Sequence, residues 1–263
     1  MSIDFNELLE KSPLSIVVCD AKQRIVWCNE QFLTDTGLLE EQVTGHLYAS
    51  LPLDAIDKDA QIVQLFSENT HGDVRFQYWH TPLSQNNGMR AHYFTRERQS
   101  ADKMSLATAR FSGKRLPKRA NWVEFLDYEV SRSRRYDNPL SVLKLHLIFY
   151  SKPDSVTDET LAQTVNDTLT DQLRWADMIG HTDQGSYLLV LPETPEPALD
   201  ALQEKISTTL KKQMGFISES IDFQIVFGYA CWQKHDDSQK LLQRAREQLV
   251  RNLELLLDDK KPG

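Results

Sequence analysis

The spacing of apolar residues predicts a strand-rich segment at the start of the chain. A short helix over Phe5–Lys11 is followed by two apolar runs, Ser15–Cys19 and Ile25–Cys28, that are typical of strands. The turn Asn86-Asn87-Gly88 is a strong signal for a hairpin between two later strands. Those later strand candidates are Asp73–His80, Met89–Phe94 and the residues around Thr95.

The second half of the chain has a different pattern, in which helical and strand spacings alternate. Helices are predicted around four apolar sets: Trp122, Phe125, Leu126, Val130; Leu161, Val165, Leu169, Leu173; Leu199, Leu202, Ile206, Leu210; and Leu242, Ala245, Leu249, Leu253, Leu256. Strands are predicted over Leu140–Phe149, Met178–His181, Tyr187–Leu191 and Ile221–Phe227. This order favours an α+β fold, with a sheet covered by helices.

A looser stretch separates the two patterns. Residues 99–115 are rich in Ser, Ala, Thr, Lys and Arg and contain the break Ser112-Gly113. We interpret this stretch as a linker between a domain over 1–98 and a domain over 116–263. Its basic residues are interpreted as a solvated face.

Charge and cysteine content exclude several classes of protein. The net charge of −8 in 263 residues argues against a nucleic-acid binder that works through bulk electrostatics. No run approaches the roughly 20 apolar residues of a membrane helix, and the N-terminus lacks a secretory pattern, so we expect a cytoplasmic protein without membrane insertion. The three cysteines, Cys19, Cys28 and Cys231, match no metal-binding spacing and are expected to be reduced.

The first domain resembles a PAS domain. The resemblance is carried by Ser12–Asp20, Arg24–Asn29, Phe32, Thr36-Gly37 and Val43–Gly45. It implies a five-stranded antiparallel sheet with short helices, used for sensing or for dimerisation. A homodimer through the N-terminal helix and the sheet is therefore expected.

The sequence does not name a ligand for this domain. The histidines His46, His71, His80 and His92 raise the idea of haem, and Trp27 with Asn29 raises that of a flavin. Neither idea has a discriminating motif, so our expectation is an empty or small-ligand core with no identified cofactor.

The second domain resembles the GGDEF domain of diguanylate cyclases. Four segments match that family in order: Leu116–Arg119, Arg134–Leu140, Tyr187–Thr194 and Phe227–Ala230. The resemblance extends over residues 111–258 and implies the nucleotide-cyclase fold, with a mainly antiparallel central sheet covered by helices.

The residues that the family uses for catalysis are different here. Alignment on Tyr187–Thr194 places the family's acidic pair at Gly185 and Ser186, and its other metal-binding Asp at His146. Two magnesium ions that face a triphosphate need anionic oxygen ligands, which these residues do not offer. We interpret His146 as a strand histidine and Asp183 as a residue of the hairpin turn, not as metal ligands.

Two further differences from the family also argue against catalysis. The chain runs from Phe149–Pro153 almost directly into the helix at Asp158, without the family's longer loop of nucleotide contacts. The phosphate-binding Lys of the family's last helix falls on Leu253. We therefore expect no catalytic residues, no metal site and no enzymatic activity.

One ligand site of the family is matched. Arg174 and Asp177 stand where many GGDEF domains carry an R-x-x-D motif that binds cyclic di-GMP, and Lys205 stands where the following helix often adds an Arg. The guanidinium of Arg174 could fork onto a phosphate or a guanine edge, and Asp177 could accept from guanine N–H groups. A surface ion pair at a helix end is the alternative. Trp175, inside the motif, is predicted to pack inward.

These observations lead to a main hypothesis and two alternatives. The main one is a non-catalytic bacterial signalling protein that binds cyclic di-GMP, or another signalling or effector protein, under PAS control. The first alternative is an interaction or scaffold module that binds no nucleotide. The second is an enzyme, either a residual cyclase completed by a partner subunit or an unrelated nucleotide transferase.

Overall fold

The computed structural model describes residues 5–57, 61–66, 74–83, 88–97, 122–181 and 185–259. The chain divides into two compact units, Met1–Ala120 and Asn121–Gly263. The predicted linker, 99–115, lies outside the described residues, and the exact domain limits stay predictions. None of the helices in the described ranges is long and apolar enough to cross a membrane.

The first unit is an antiparallel sheet accompanied by short helices. Its helices are α1 (Phe5–Glu10), α2 (Glu30–Thr36) and α3 (Glu40–Val43), with a 3₁₀ turn over Tyr48–Ser50. Its strands are β1 (Ser15–Cys19), β2 (Ile25–Cys28), β3 (Leu53–Asp57), β4 (Ile62–Leu65), β5 (Val74–Pro82) and β6 (Arg90–Arg96). They form one sheet in the order β2-β1-β6-β5-β4-β3.

The described part of this sheet therefore has six strands instead of the five that we expected. The two strands that the sequence pattern missed are β3 and β4, which are short and carry the polar residues Asp54 and Gln64 among their apolar ones. Thr95, predicted to mark a separate strand, belongs to β6. The turn at Asn86-Asn87 lies outside the described residues, but Gly88 has the positive φ of 82° that such turns favour.

Asn29 connects the helices of this unit to its sheet. Its side-chain oxygen accepts from the backbone N–H of Phe32 at 3.1 Å, which caps α2, and from that of Ile16 at 2.9 Å. Its amide nitrogen donates to the carbonyl of Leu14 at 2.8 Å. The buried Asn29 amide is thus engaged by backbone groups.

The second unit has the predicted order of helices and strands. Its helices are α4 (Trp122–Tyr136), α5 (Asp158–Gln172), α6 (Pro197–Ile217) and α7 (Ser238–Asp259). Its strands are β7 (Leu140–Ser151), β8 (Met178–His181), β9 (Ser186–Pro192) and β10 (Asp222–Cys231). The sheet is antiparallel in the order β10-β7-β9-β8, so the predicted α+β architecture is confirmed.

The central strand β7 separates two packed layers. Leu143, Leu145 and Leu147 point to one face, where they form a core with residues such as Leu161 of α5 and Ile206 of α6. The intervening residues of β7 point to the opposite face. His146 lies on that face, opposite Ser186 of β9.

Candidate functional site

The place that the family resemblance assigns to metal binding holds a hydrogen-bonded histidine and serine. His146 on β7 lies directly opposite Ser186 on β9. The Nδ1 atom of His146 is 2.6 Å from Oγ of Ser186. Only 5% of His146 is exposed, and this burial lowers the pKa of its imidazole to about 4. At neutral pH the pair therefore carries no charge.

The hairpin that leads into β9 adds a backbone contact. Gly185 has a φ of 80°, which favours glycine, and its carbonyl accepts from the N–H of Leu147 at 3.0 Å. Asp183, the other candidate of this turn, lies outside the described residues. Within the described ranges, no group of three or more His, Cys, Asp or Glu side chains is placed to hold a metal ion.

The connection after β7 is short and bonded to the next helix. Residues 152–157 join β7 to α5, and the side chain of Thr157 caps that helix by accepting from the N–H of Thr160. Lys152 Nζ contacts Oδ1 of Asp158 at 2.5 Å. On α7, Leu253 is buried, as expected for an apolar residue on the core face of a helix.

The R-x-x-D motif forms a tight turn before β8. The N–H of Asp177 donates to the carbonyl of Arg174 at 2.9 Å, and the N–H of Arg174 donates to Oδ2 of Asp177 at 2.8 Å. The motif is therefore closed by two hydrogen bonds between its first and last residues. The structure brings these two predicted site residues into direct contact.

The guanidinium of Arg174 is also fixed by residues at the end of β9. Its Nη2 atom donates to the carbonyl of Pro192 at 3.0 Å, to Oγ1 of Thr194 at 2.6 Å and to Oδ1 of Asp177 at 3.3 Å. The side chain of Arg174 is nevertheless 57% exposed. Sequence reasoning missed Pro192 and Thr194 as partners, although both lie in the Tyr187–Thr194 run that carries the family resemblance.

The other predicted members of the site are placed differently. Both oxygens of Asp177 accept from Arg174 and its side chain is only 4% exposed, so its carboxylate is already engaged. Lys205 is exposed on α6 and makes no hydrogen bond to Arg174 or Asp177 within the described ranges. The prediction that Trp175 packs inward is wrong: the residue is 99% exposed, because it occupies the tip of the turn.

Comparisons with solved structures find distant similarities. The diguanylate cyclase SiaD from Pseudomonas aeruginosa, solved with its activator SiaC, is 17% identical over 51% of this chain and 54% of that one, with a TM-score of 0.43. This chain therefore spans about half of the SiaD structure. The coiled coil and GGDEF domain of DgcB from Caulobacter crescentus, solved with c-di-GMP, is 10% identical over 53% of this chain and 75% of that one, with a TM-score of 0.42.

The PAS domain of nitrogen regulation protein NR(II) from Vibrio parahaemolyticus is 10% identical over 36% of this chain and all of that one, with a TM-score of 0.31.

A search of curated proteins finds no match. The family model described as "Diguanylate cyclase, GGDEF domain" matches residues 114–254. Because this match covers more than half of the 263 residues, the chain belongs to the GGDEF-domain family.

Proposed function

We propose that this protein is a non-catalytic member of the GGDEF family, which acts in bacterial cyclic di-GMP signalling as a receptor of that nucleotide. The observation that carries the proposal is the neutral pair His146–Ser186 at the position of the family's metal ligands. Membership of the family supports the pathway. The described geometry of Arg174 supports a role in ligand binding.

Charge is the physical reason to propose that catalysis is lost. A pair of magnesium ions and a triphosphate are held together by carboxylates, which bind these hard cations through oxygen. His146 is buried and uncharged, and its Nδ1 atom is already bonded to Ser186. Neither side chain supplies the negative charge that would offset the cost of bringing two cations to this place.

Arg174 supports the receptor function because it is fixed and still accessible. A guanidinium that is held in place loses less entropy when it binds a planar or anionic acceptor. Its Nη2 atom is held by Pro192, Thr194 and Asp177, whereas none of the hydrogen bonds within the described ranges uses Nη1. Lys205, on α6, would add a second positive charge.

The receptor function is tested by calorimetry with cyclic di-GMP. We expect the full chain to bind the nucleotide and the Arg174→Ala variant to bind at least tenfold more weakly, because the main donor is lost. Lys205→Ala is expected to have a smaller effect. Wild-type protein that does not bind, or binding that Arg174→Ala leaves unchanged, would remove the receptor function.

Control by the first unit completes the proposal. The first unit is proposed to be a PAS domain that senses a signal or forms a homodimer. The GGDEF domain then contacts a signalling or effector protein in the cytoplasm. The alternative is a module that contacts its partner without any nucleotide, and the exposed Trp175 would suit such a contact as well. A pull-down whose partners do not change when cyclic di-GMP is added would favour this alternative.

A further inference from the structure

Strand β10 forms one edge of the sheet in the second unit, and β7 is its only neighbour among the described strands. The N–H of Trp232 donates to the carbonyl of Leu140 at 2.7 Å, so the even-numbered residues along β10 are the ones bonded to β7. The N–H and C=O groups of the odd-numbered residues consequently point away from the sheet. The opposite edge strand, β8, has four residues, whereas β10 has ten. Its length makes β10 the better edge for pairing with a further strand.

Side chains of α7 bond to the outward groups in the C-terminal half of this edge. Gln248 accepts from the N–H of Tyr229, and Asn252 donates to the carbonyl of Phe227 at 2.8 Å. These two side chains are one helical turn apart on α7. The next residue in the same series is Leu256, which has no polar group. The bonding by α7 therefore ends before the N-terminal half of the edge.

That N-terminal half, Phe223–Phe227, lacks the features that usually protect an edge strand. Its sequence, Phe-Gln-Ile-Val-Phe, contains no charged residue and no proline, and the side chains of Phe223, Ile225 and Phe227 are only partly buried against the core with α5 and α6. In the part of the chain that the structure describes, no strand pairs with the outward groups of Phe223 or Ile225. Natural edge strands are usually interrupted by charges, prolines or bulges, and here a bulge and the charged Asp222 lie only at the boundary of the segment.

We propose that the segment Phe223–Phe227 pairs with the same segment of a second copy of this chain, which joins the sheets of two second units into one. The segment is symmetric about Ile225, since a phenylalanine lies two residues away on each side. An antiparallel pairing around a two-fold axis at Ile225 places Ile225 opposite the partner's Ile225, and Phe223 opposite the partner's Phe227. The outward groups then exchange backbone hydrogen bonds, and the apolar side chains contact each other across the new strand pair.

The distribution of charge favours a second copy as the occupant. Two chains of net charge −8 repel each other, so a neutral segment is the part of the sheet edge through which they can meet. Asp222 is the one charged residue of β10, and the pairing places it opposite the partner's Gly228, away from the partner's Asp222. Because the partner's strand begins at its Asp222, the contact of Gln248 is left intact. Only Asn252 has to release the carbonyl of Phe227.

The test is disulfide cross-linking of the full chain, without nucleotide, under mild oxidation with copper phenanthroline. In Ile225→Cys the new thiol faces its own copy across the two-fold axis, at a Cα–Cα distance of about 5.5 Å that a disulfide can span. A cross-linked dimer should appear on a non-reducing gel and disappear with reductant. Gln224→Cys is the matched control, because its side chain points to the other face and lies opposite the partner's Val226. It should cross-link no more than wild type, which contains three free cysteines.

A second pair of variants tests the same register without changing Ile225. Phe223→Cys and Phe227→Cys, co-expressed with tags of different size, should form a cross-linked species that contains both tags, whereas each variant alone should cross-link no more than wild type. Circular dichroism shows which variants are folded. Folded variants that give no cross-linked dimer, or equal cross-linking of Ile225→Cys and Gln224→Cys, would overturn the proposed pairing. Since no nucleotide is present, either result leaves the proposed receptor function untouched.

Discussion

Arg174 and Thr194 join the turn before β8 to the end of β9. Nη2 of Arg174 donates to Oγ1 of Thr194 at 2.6 Å, and the same hydroxyl donates to the carbonyl of Pro192 at 3.1 Å. Thr194 is buried and its carbonyl accepts from Oγ of Ser141 at 2.6 Å. The position of the guanidinium thus depends on a residue that is far from the turn in sequence.

Thr194→Val tests whether this support matters for binding. The change keeps the shape of the side chain and removes the hydroxyl that accepts from Arg174. We expect about threefold to tenfold weaker cyclic di-GMP binding and a loss of about 1 kcal/mol in the free energy of unfolding. Calorimetry and urea unfolding measure the two effects. Thr170→Val, at an exposed threonine of α5, is the control and should leave the affinity unchanged.

Asp177→Asn tests whether the contact between this carboxylate and Arg174 stabilises the turn and supports binding. The amide cannot accept from Arg174 through two charged oxygens, so the turn should loosen. We expect the free energy of unfolding to fall by about 1–2 kcal/mol and cyclic di-GMP binding to weaken. Asp171→Asn, at the exposed end of α5, is the control for the loss of one negative charge. Equal effects of the two substitutions would show that the contact with Arg174 is unimportant.

The buried His146 predicts how stability changes with pH. Its pKa is lowered from 6.5 to about 4 in the folded state, so between these values the unfolded chain binds a proton that the folded chain excludes. The free energy of unfolding should therefore fall as pH falls through this window, by about 2 kcal/mol between pH 7.5 and pH 5. Above pH 6.5 this contribution is fully present.

Urea unfolding of wild type and of His146→Asn measures the free energy of unfolding as a function of pH. Hydrogen exchange of β7 peptides reports on the second unit. Because Asn does not titrate, the variant should lose less stability on acidification. His235→Asn removes an exposed histidine of the same unit and is the matched control. Parallel pH curves for wild type and His146→Asn would contradict the predicted burial of a neutral imidazole.

Gly228 allows β10 and α7 to approach closely. A Cβ atom at this position would lie 2.2 Å from the backbone nitrogen of Leu249, so Gly228→Ala should destabilise the second unit by at least about 2 kcal/mol. Gly215→Ala provides the matched control, because the added Cβ in α6 has no atom within 4 Å apart from its chain neighbours and the adjacent backbone of its own helix. It should be neutral or stabilise by about 0.5 kcal/mol, as alanine favours helix. Urea unfolding distinguishes the two.

The order of elements in the second unit could be predicted because its periodicities are regular. Leu143, Leu145 and Leu147 alternate along β7, and Leu161, Val165 and Leu169 recur along α5, so each element buries one face. In the first unit, β3 and β4 were missed because short strands with polar residues have no clear period. Thr95 was assigned to a separate strand because the sequence pattern does not show how far β6 extends. That length is set by the pairing of β6 with β5.

The candidate site was only partly predictable. The sequence located Arg174 and Asp177 through their distance from the hairpin and offered an ion pair between them as the alternative to a ligand site. It did not show that both carboxylate oxygens of Asp177 accept from Arg174. The outward position of Trp175 depends on the turn closing, which a side-chain pattern does not reveal. The contact with Thr194 is a tertiary one, made between segments that no periodicity relates.

The proposed loss of catalysis is tested by incubating the purified full chain with GTP and either Mg²⁺ or Mn²⁺ and measuring cyclic di-GMP by mass spectrometry. We expect no product above that of a sample without protein, because the uncharged pair His146–Ser186 cannot hold the two cations against the triphosphate. Formation of cyclic di-GMP by wild type, abolished in a His146→Ala variant that still folds, would contradict it.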